Sequence, residues 1–397
     1  MAVNSSTQKK RKYTQEDSYL RGDYELNDGQ DNYIDQQLEV ERRSNVYTSE
    51  KIDKLLKQFD DGDPTVDLNF TFHGDPDLKN ARIRYEYTPW EVKELDRCVE
   101  DPEYMIENYC KFMTDYGHIK VKLRKYQREL IHMVGDEHWD EQQQLFIANN
   151  RKVLVMQSRQ TGKTSTIVSY LNQYIISHKE RNIVIGANNK DTAEEIMEKF
   201  MEVYRGLPWF LKTGIKSLSK KSVVFDNGCK IKCVATTNAG GVGKTAHLLI
   251  LDEFGVIPTS TARAFWTAIN PTLSSSKVAQ VIILSTPRST THPFYDLYTK
   301  SIQGKNDFVT KVVYYWEAGG ERLTEEWKAA QIAEIGEQAF AQEFELRFDA
   351  GKNCKLVGPK DMAFMDRIRT EFRTVPVYGV PNNISQKILW APGFNPD

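Results

Sequence analysis

Apolar and polar positions along this chain fall into blocks of two lengths. Short, nearly unbroken apolar runs, "KVLVM" (152–156), "NIVIGAN" (182–188), "HLLIL" (247–251) and "QVIIL" (280–284), have the length and β-branched content of strands buried on both faces. Longer stretches between them carry the spacing of amphipathic helices. After Thr164, "STIVSYLNQYIISHKE" puts Ile167, Val168, Leu171, Tyr174 and Ile175 on one stripe. Helices are likewise predicted in "DTAEEIMEKFMEVYRGL", "TSTARAFWTAI", "PFYDLYTKSIQ" and through "TEEWKAAQIAEIGEQAFAQEFELRFDAG". A hairpin, "SVVFDNGCKIKCVATT", turns at Asn227-Gly228, and "DFVTKVVYYW" reads as one more strand. Strands alternating with helices predict an α/β fold, a mostly parallel sheet with flanking helices and right-handed crossovers.

Upstream, "YTPWEVKELDRCVE" offers Thr88 as N-cap, Pro89 at the first helical position and Glu91 to close a capping box. "DPEYMIENYCKF" repeats the arrangement with Asp101 and Pro102, and both lead into "KLRKYQRELIHMV". Four segments follow: a polar, acid-rich stretch 1–47 expected to be flexible, a small helical lead-in 48–118, a main domain 119–351, and a linker 352–397. No internal repeat is present.

Composition changes little in this picture. The 397 residues are enough for one sizeable core, and a net charge of −2 excludes a broad polycation without excluding a local basic surface. "KKRK" at 9–12, Lys220-Lys221 and the Lys230/Lys232 strand face are the places where phosphates could be met, each also readable as a solvated face. No apolar run approaches the roughly 20 residues of a membrane span, and the N-terminus lacks a signal peptide's apolar core. Of five cysteines only Cys229 and Cys233 are close; they read as buried strand thiols, in a reducing compartment.

Candidate chemistry lies at two loops ending in GKT, around Lys163 and around Lys244. A phosphate loop needs a strand before it and a helix immediately after, so that backbone N–H groups and the positive helix end face the anion. "SRQTGKTS" has both. "GGVGKT" is followed only by "AHLLIL", itself a strand, and so reads as a surface loop. The chosen loop departs from GxxxxGKT/S at Gln157, where glycine is usual. Downstream, "HLLILDEFG" is a buried strand ending in Asp252 and Glu253. Asp252 would share a magnesium ion with the Thr164 hydroxyl, and Glu253 would orient and deprotonate the attacking water. "IILSTP" then sets Ser285 and Thr286 at a neighbouring strand end, where hydroxyls could contact phosphate or Glu253; taken alone, "STP" is a plain turn. These signals describe a P-loop NTPase of the ASCE, RecA-like type.

"SRQTGKT", "LLILDEFG", "STP" and "LRKYQREL", in this order over roughly residues 88 to 350, resemble the ATPase of the large terminase subunit, the DNA-packaging motor of tailed bacteriophages, the T-even type most closely. The resemblance implies ATP and Mg2+ as cofactors, the nucleotide held by Ser158, Arg159, Gln160, Thr161, Gly162, Lys163, Thr164 and Ser165, with Lys163 on the phosphates, and the metal by Thr164 and Asp252. It further implies an arginine finger at Arg159 (otherwise a phosphate clamp), an adenine-reading motif at Gln127 with Tyr126 and Arg124, and a coupling motif at Ser285 and Thr286. It implies double-stranded DNA, a portal protein and a small terminase subunit as partners, and a homo-oligomeric ring on the capsid, in the host cell cytoplasm during virion assembly. Large terminase subunits continue into an RNase H-type nuclease domain. Past Gly351 the acids Asp361, Asp366, Glu371 and Asp397 are too scattered for three converging carboxylates, so no DNA cleavage is expected of this chain. A superfamily 2 helicase, or an ATP-binding clamp that never turns over, are the rival classes.

The choice between the loops is testable. Lys163→Ala should abolish ATP turnover and greatly weaken nucleotide binding, while Lys244→Ala should leave binding largely intact. Equilibrium titration with a fluorescent nucleotide reads both, and the opposite pattern would overturn the assignment.

Overall fold

The computed structural model describes residues 45–114, 117–142, 145–236, 246–319 and 324–348. The 1–44 stretch, the segment beyond 348 with the four acids past Gly351, and the Lys244 loop lie outside the described residues.

The apolar runs form one sheet. Its strands are β1 (Lys152–Gln157), β2 (Asn182–Ala187), β3 (Ile215–Ser219), β4 (Ser222–Phe225), β5 (Lys230–Ala235), β6 (Leu248–Asp252), β7 (Gln280–Ser285) and β8 (Val309–Val313). The spatial order is β3-β4-β5-β2-β6-β7-β1-β8. From β5 to β8 every pair is parallel, and β3-β4-β5 is an antiparallel extension. Residues alternate between two cores, as the pleat requires. Val153, Val155, Ile183, Ile185, Leu248, Ile250, Ile282 and Leu284 face one of them. Leu154, Met156, Val184, Leu249, Leu251, Val281 and Ile283 face the other. With both faces covered, neither set can be polar, which is why these strands read as continuous apolar runs.

Helices supply the covers. They are α1 (Ser49–Asp60), α2 (Pro89–Glu100), α3 (Pro102–Tyr109), α4 (Lys125–Gly135), α5 (Lys163–Ser177), α6 (Lys190–Arg205), α7 (Thr259–Ser275), α8 (Pro293–Ile302), α9 (Tyr315–Gly319), α10 (Glu325–Ile335) and α11 (Glu337–Glu343). Residues of α1 to α6 join the first core, and those of α7 and α8 the second. The capping box at Thr88 and Glu91 forms, and Asp101 caps α3. Cys229 and Cys233 are buried free thiols. Three expectations change. The hairpin gains β3 as a third strand. α7 continues through Pro271 beyond "WTAI". β8 stops at Val313, because the Tyr314 N–H is taken by Glu317 Oε2 at 2.8 Å, which starts α9 where "YYW" had read as strand.

The lead-in is not only helical. A strand pair, Thr71–Phe72 with Asp75–Lys79, lies within it and shares the first core through Phe70, Phe72 and Leu78. It meets the edge of the sheet where the Ala81 N–H donates to Ile215 O at 3.0 Å. Two lysines are buried at this junction. Lys79 Nζ donates to Trp209 O at 3.4 Å and lies 4.5 Å from the Tyr85 ring; Lys212 Nζ donates to Asp77 O at 2.8 Å. Burial pulls both ammonium groups down to about 8.

In the unfolded chain these groups titrate at 10.5. Between about 8 and 10.5 the fold therefore holds fewer protons than the unfolded chain, and rising pH relieves the cost of burying them. Replacing Lys79 and Lys212 by Met should shift stability relative to the parent most below pH 8, and that shift should shrink as pH rises toward 10.5. Denaturant midpoints across this range measure it; a pH-independent difference would mean that neither lysine is held below its ordinary value.

Candidate functional site

The site forms at the carboxyl ends of β1, β6 and β7, where a parallel sheet opens toward its ligands. β1 delivers the chain into a loop whose shape is set by a few hydrogen bonds. Thr161 Oγ1 donates to Ser158 O at 2.6 Å, and the Tyr126 hydroxyl donates to Thr161 O at 2.6 Å. Gln157, standing in the place of the usual glycine, is buried and adds a longer bond from Nε2 to Thr161 O at 3.4 Å. Gly162 closes the loop at φ +77°, a left-handed conformation that favours glycine; a Cβ there would lie 3.2 Å from Gln127 Nε2. Helix α5 starts at the next residue. Gln160 is exposed at the loop's tip with φ +58°, and Ser165 is half-buried on the first turn of α5.

Lys163 is buried, its Nζ donating to Gln157 O at 3.2 Å and Ser158 O at 3.5 Å. Burial lowers its proton affinity, opposed by the charges of Asp252, Glu253 and Glu343. The next residue closes the site: Thr164 Oγ1 donates to Asp252 Oδ2 at 2.8 Å. Asp252 is buried and its carboxyl is raised by that burial, opposed by Lys163 and by the Thr164 hydroxyl. Glu253 follows at φ +53°, a strained conformation for a residue with a side chain, its N–H on Asp252 Oδ1 at 3.0 Å. It leaves the strand sharply there and is half-buried, between the closed strand end and the surface.

Ser285 lies beneath this turn. The Gly255 N–H donates to Ser285 Oγ at 2.8 Å, and Ser285 Oγ donates onward to Thr286 O at 2.8 Å. The hydroxyl thus ties the acid strand's exit to the "STP" loop. Gln127 sits behind the phosphate loop: its Oε1 accepts the Arg124 N–H at 2.9 Å and its Nε2 donates to Thr166 Oγ1 at 2.8 Å. Arg124 reaches the Tyr126 hydroxyl at 3.4 Å. The residues picked from sequence are therefore brought together, and the Gln127 amide is engaged with the first turns of α4 and α5.

Two partners were missed. Arg159 Nε lies 3.8 Å from Glu343 Oε2 on α11, and its N–H donates to Glu343 O at 3.0 Å. Arg288, just past "STP", makes a 2.7 Å ion pair with Glu343 Oε1. Glu343 is one of two acids on α11, and nothing local in the sequence singles it out.

The family model described as the N-terminal part of the terminase large subunit, T4likevirus-type, matches residues 154–352, which hold the phosphate loop, both acids and the "STP" strand. The chain belongs to this family. Among solved structures it is similar to the large terminase of bacteriophage HK97, at 17% identity and a TM-score of 0.49 over 62% of this chain and 54% of that one. It is also similar to a mutant form of the ATPase domain of the Thermus phage P74-26 large terminase, at 22% identity and a TM-score of 0.42 over 50% of this chain and 90% of that one. The chain thus spans about half the length of the HK97 protein.

The contact under the acid strand is tight enough to test. A Cβ at Gly255 would lie 2.7 Å from Ser285 Oγ and 2.8 Å from Thr286 O, closer than real contacts allow. Gly255→Ala should push Glu253 out of place and lower turnover by tenfold or more, on the order of what a displacement of about 1 Å costs. Nucleotide affinity should change little, because the Lys163 loop is untouched. Unaltered turnover would show that Glu253 does not depend on this packing.

Proposed function

We propose that this chain is the ATP-hydrolysing motor part of a terminase large subunit that drives double-stranded DNA into a procapsid. The observation that carries the reading is the 2.8 Å bond from Thr164 to Asp252, with Lys163 before it and Glu253 after it. It joins a phosphate loop to an acidic strand end in the one arrangement that metal-assisted phosphoryl transfer needs.

The donor set suits Mg2+. Asp252 and Thr164 offer hard oxygens, and among the described residues no cluster of three or more His, Cys, Asp or Glu exists to hold a metal by protein alone. Magnesium commonly takes one or two protein oxygens together with phosphates and water. When bound, it would neutralise charge developing on the phosphate oxygens. Lys163 supplies positive charge to the β- and γ-phosphates from a buried position, where the loss of solvent makes the attraction stronger. The amides from Thr161 to Ser165 face the same anion at the start of α5. Glu253 accepts the proton of the attacking water on its carboxylate. Arg159 reaches the γ-phosphate from the loop's exposed rim. Ser285 and Thr286 convey the change at Glu253 to the "STP" loop, and Arg124, Tyr126 and Gln127 mark the side from which the adenine enters.

Membership of the family supports extending the proposal to DNA translocation, docking on a portal ring and the involvement of a small terminase subunit. Turnover measured with DNA, with a portal ring and with both tests them. Stimulation requiring the portal supports the motor; unwinding driven by DNA alone would favour a helicase, and absent turnover a clamp.

Glu253→Gln is the sharper test of the chemistry. Turnover should fall by roughly 10²–10⁴, the worth of a general base, while Mg-ATP binding is retained. Hydrolysis at the parent rate would remove Glu253 from the mechanism.

A further inference from the structure

The antiparallel extension β3-β4-β5 has one covered face and one open face. Val223, Phe225, Ile231 and Cys233 turn into the first core, where α6 also packs. The positions between them point the other way, as the pleat requires. Register sets these in two rows: Lys230 beside Val224 and Ser217, and Lys232 beside Ser222 and Ser219. Val234, next on that face of β5, joins the second core; Lys230 and Lys232 lie before it and are exposed. The turn Lys220-Lys221 is fastened at the end of the second row, the Cys233 N–H donating to Lys221 O at 2.8 Å.

Neither row contains a carboxylate. Lys221 reaches Glu194 on α6 at 3.7 Å, and the charge of Lys216 acts on Asp226. Lys220, Lys230 and Lys232 make no ion pair among the described residues. Lysines often guard edge strands against unwanted pairing. That accounts for Lys216 on the edge strand β3, but β5 lies inside the sheet, between β4 and β2. Solubility is served by charges of both signs interspersed. A face of one sign, on a chain whose net charge is −2, is instead a local field that draws a polyanion.

The spacing suits a repeating phosphate. Lys230 and Lys232 are two residues apart on β5, a rise of roughly 7 Å. That equals two axial steps of about 3.4 Å between phosphates on one strand of a duplex. The serines beside them are short hydroxyl donors of the kind that contact phosphate and sugar. We propose that this open face docks double-stranded nucleic acid by its phosphate backbone, with Lys220, Lys230 and Lys232 as the contacts. The assignment rests on the DNA partner of the motor reading and names the surface that meets it.

A fluorescein-labelled duplex, titrated by anisotropy over a series of salt concentrations, tests the surface. Each lysine on a phosphate contributes about 0.9 to the slope of log affinity against log salt. Lys220→Ala, Lys230→Ala and Lys232→Ala combined should flatten the parent's slope by roughly 2–3. Binding at about 0.1 M salt should weaken on the order of a hundredfold. The loss should be alike for duplexes of different sequence, because backbone contacts carry no base information. Should the triple variant fail to fold, Lys230→Glu alone should flatten the slope by about one. Lys54→Ala, Lys57→Ala and Lys305→Ala combined remove the same charge from exposed positions elsewhere, and should leave duplex binding nearly unchanged. An unchanged salt slope, or an equal loss in this control, would overturn the assignment. So would retained duplex affinity together with lost binding to polyglutamate, which would give the face to an acidic protein. A parent protein that binds no duplex at low salt would remove DNA from the motor reading, and this surface with it.

Discussion

The site depends on one strand, β7, lying between the phosphate-loop strand β1 and the acid strand β6. Adjacent strands are about 4.8 Å apart, so the ends of β1 and β6 are separated by roughly 10 Å. On the proposed function, a phosphate chain and its metal would sit in that gap. It is spanned by the first turn of α5, which leans over β7 so that Thr164 reaches Asp252. Register holds the arrangement in place. Asp252 pairs with Leu284 and Ser285 with Met156, which sets the ends of the three strands nearly level. A slip of one residue between β6 and β7 would turn Asp252 toward the second core and carry Ser285 away from Gly255.

What the sheet gathers there is unfavourable for folding. Lys163 and Asp252 are both buried, and burial pushes each toward its neutral form. Glu253 and Gln160 hold left-handed conformations that side chains disfavour. None of this helps the core, which is already supplied by the two apolar layers on either face of the sheet. Strain and buried charge concentrated at one point of an otherwise well-packed sheet are what a site adapted to an anionic ligand entails. On the proposed function, a nucleotide's charge would be a counterpart of Lys163, and a metal's a counterpart of Asp252.

The sequence made the parts of this design legible wherever the physics is local. Strand interiors buried on two faces cannot carry polar residues, so β1, β2, β6 and β7 stand out as apolar runs. Capping requires particular side chains at fixed offsets, so Thr88, Glu91 and Asp101 mark their helices. The loop before α5 could be preferred over the Lys244 loop because a helix needs length. Non-local contacts were silent. One difference is local: β8 ends early because Glu317, three residues on, takes the Tyr314 N–H, against the strand propensity of "YYW". Glu343 lies far along the chain from Arg159, and its meeting with both arginines is set by how α11 packs through Phe340 and Phe344 against Tyr315. The strand pair near Lys79 was hidden for a similar reason: its short, mixed segments become strands only against the neighbouring core.

The departure from glycine at the start of the phosphate loop follows from how this loop is held. Where a loop is shaped by its own glycines, the first position is kept small so that the backbone can turn freely. Here the turn is fixed from outside. Thr161 O is the anchor, accepting from the Tyr126 hydroxyl and from Gln157 Nε2, while the Thr161 hydroxyl ties back to Ser158 O. Gln157 adds a longer bond to that anchor through Nε2, while its buried Oε1 has no hydrogen-bond partner among the described residues. Tyr126 belongs to α4, and on that same helix Gln127 bonds Thr166 one turn into α5. Loop, upstream helix and following helix therefore form one hydrogen-bonded unit. A displacement of the phosphate cradle cannot occur without moving Arg124, Tyr126 and Gln127, so any recognition of the base by that segment is mechanically joined to the grip on the phosphates.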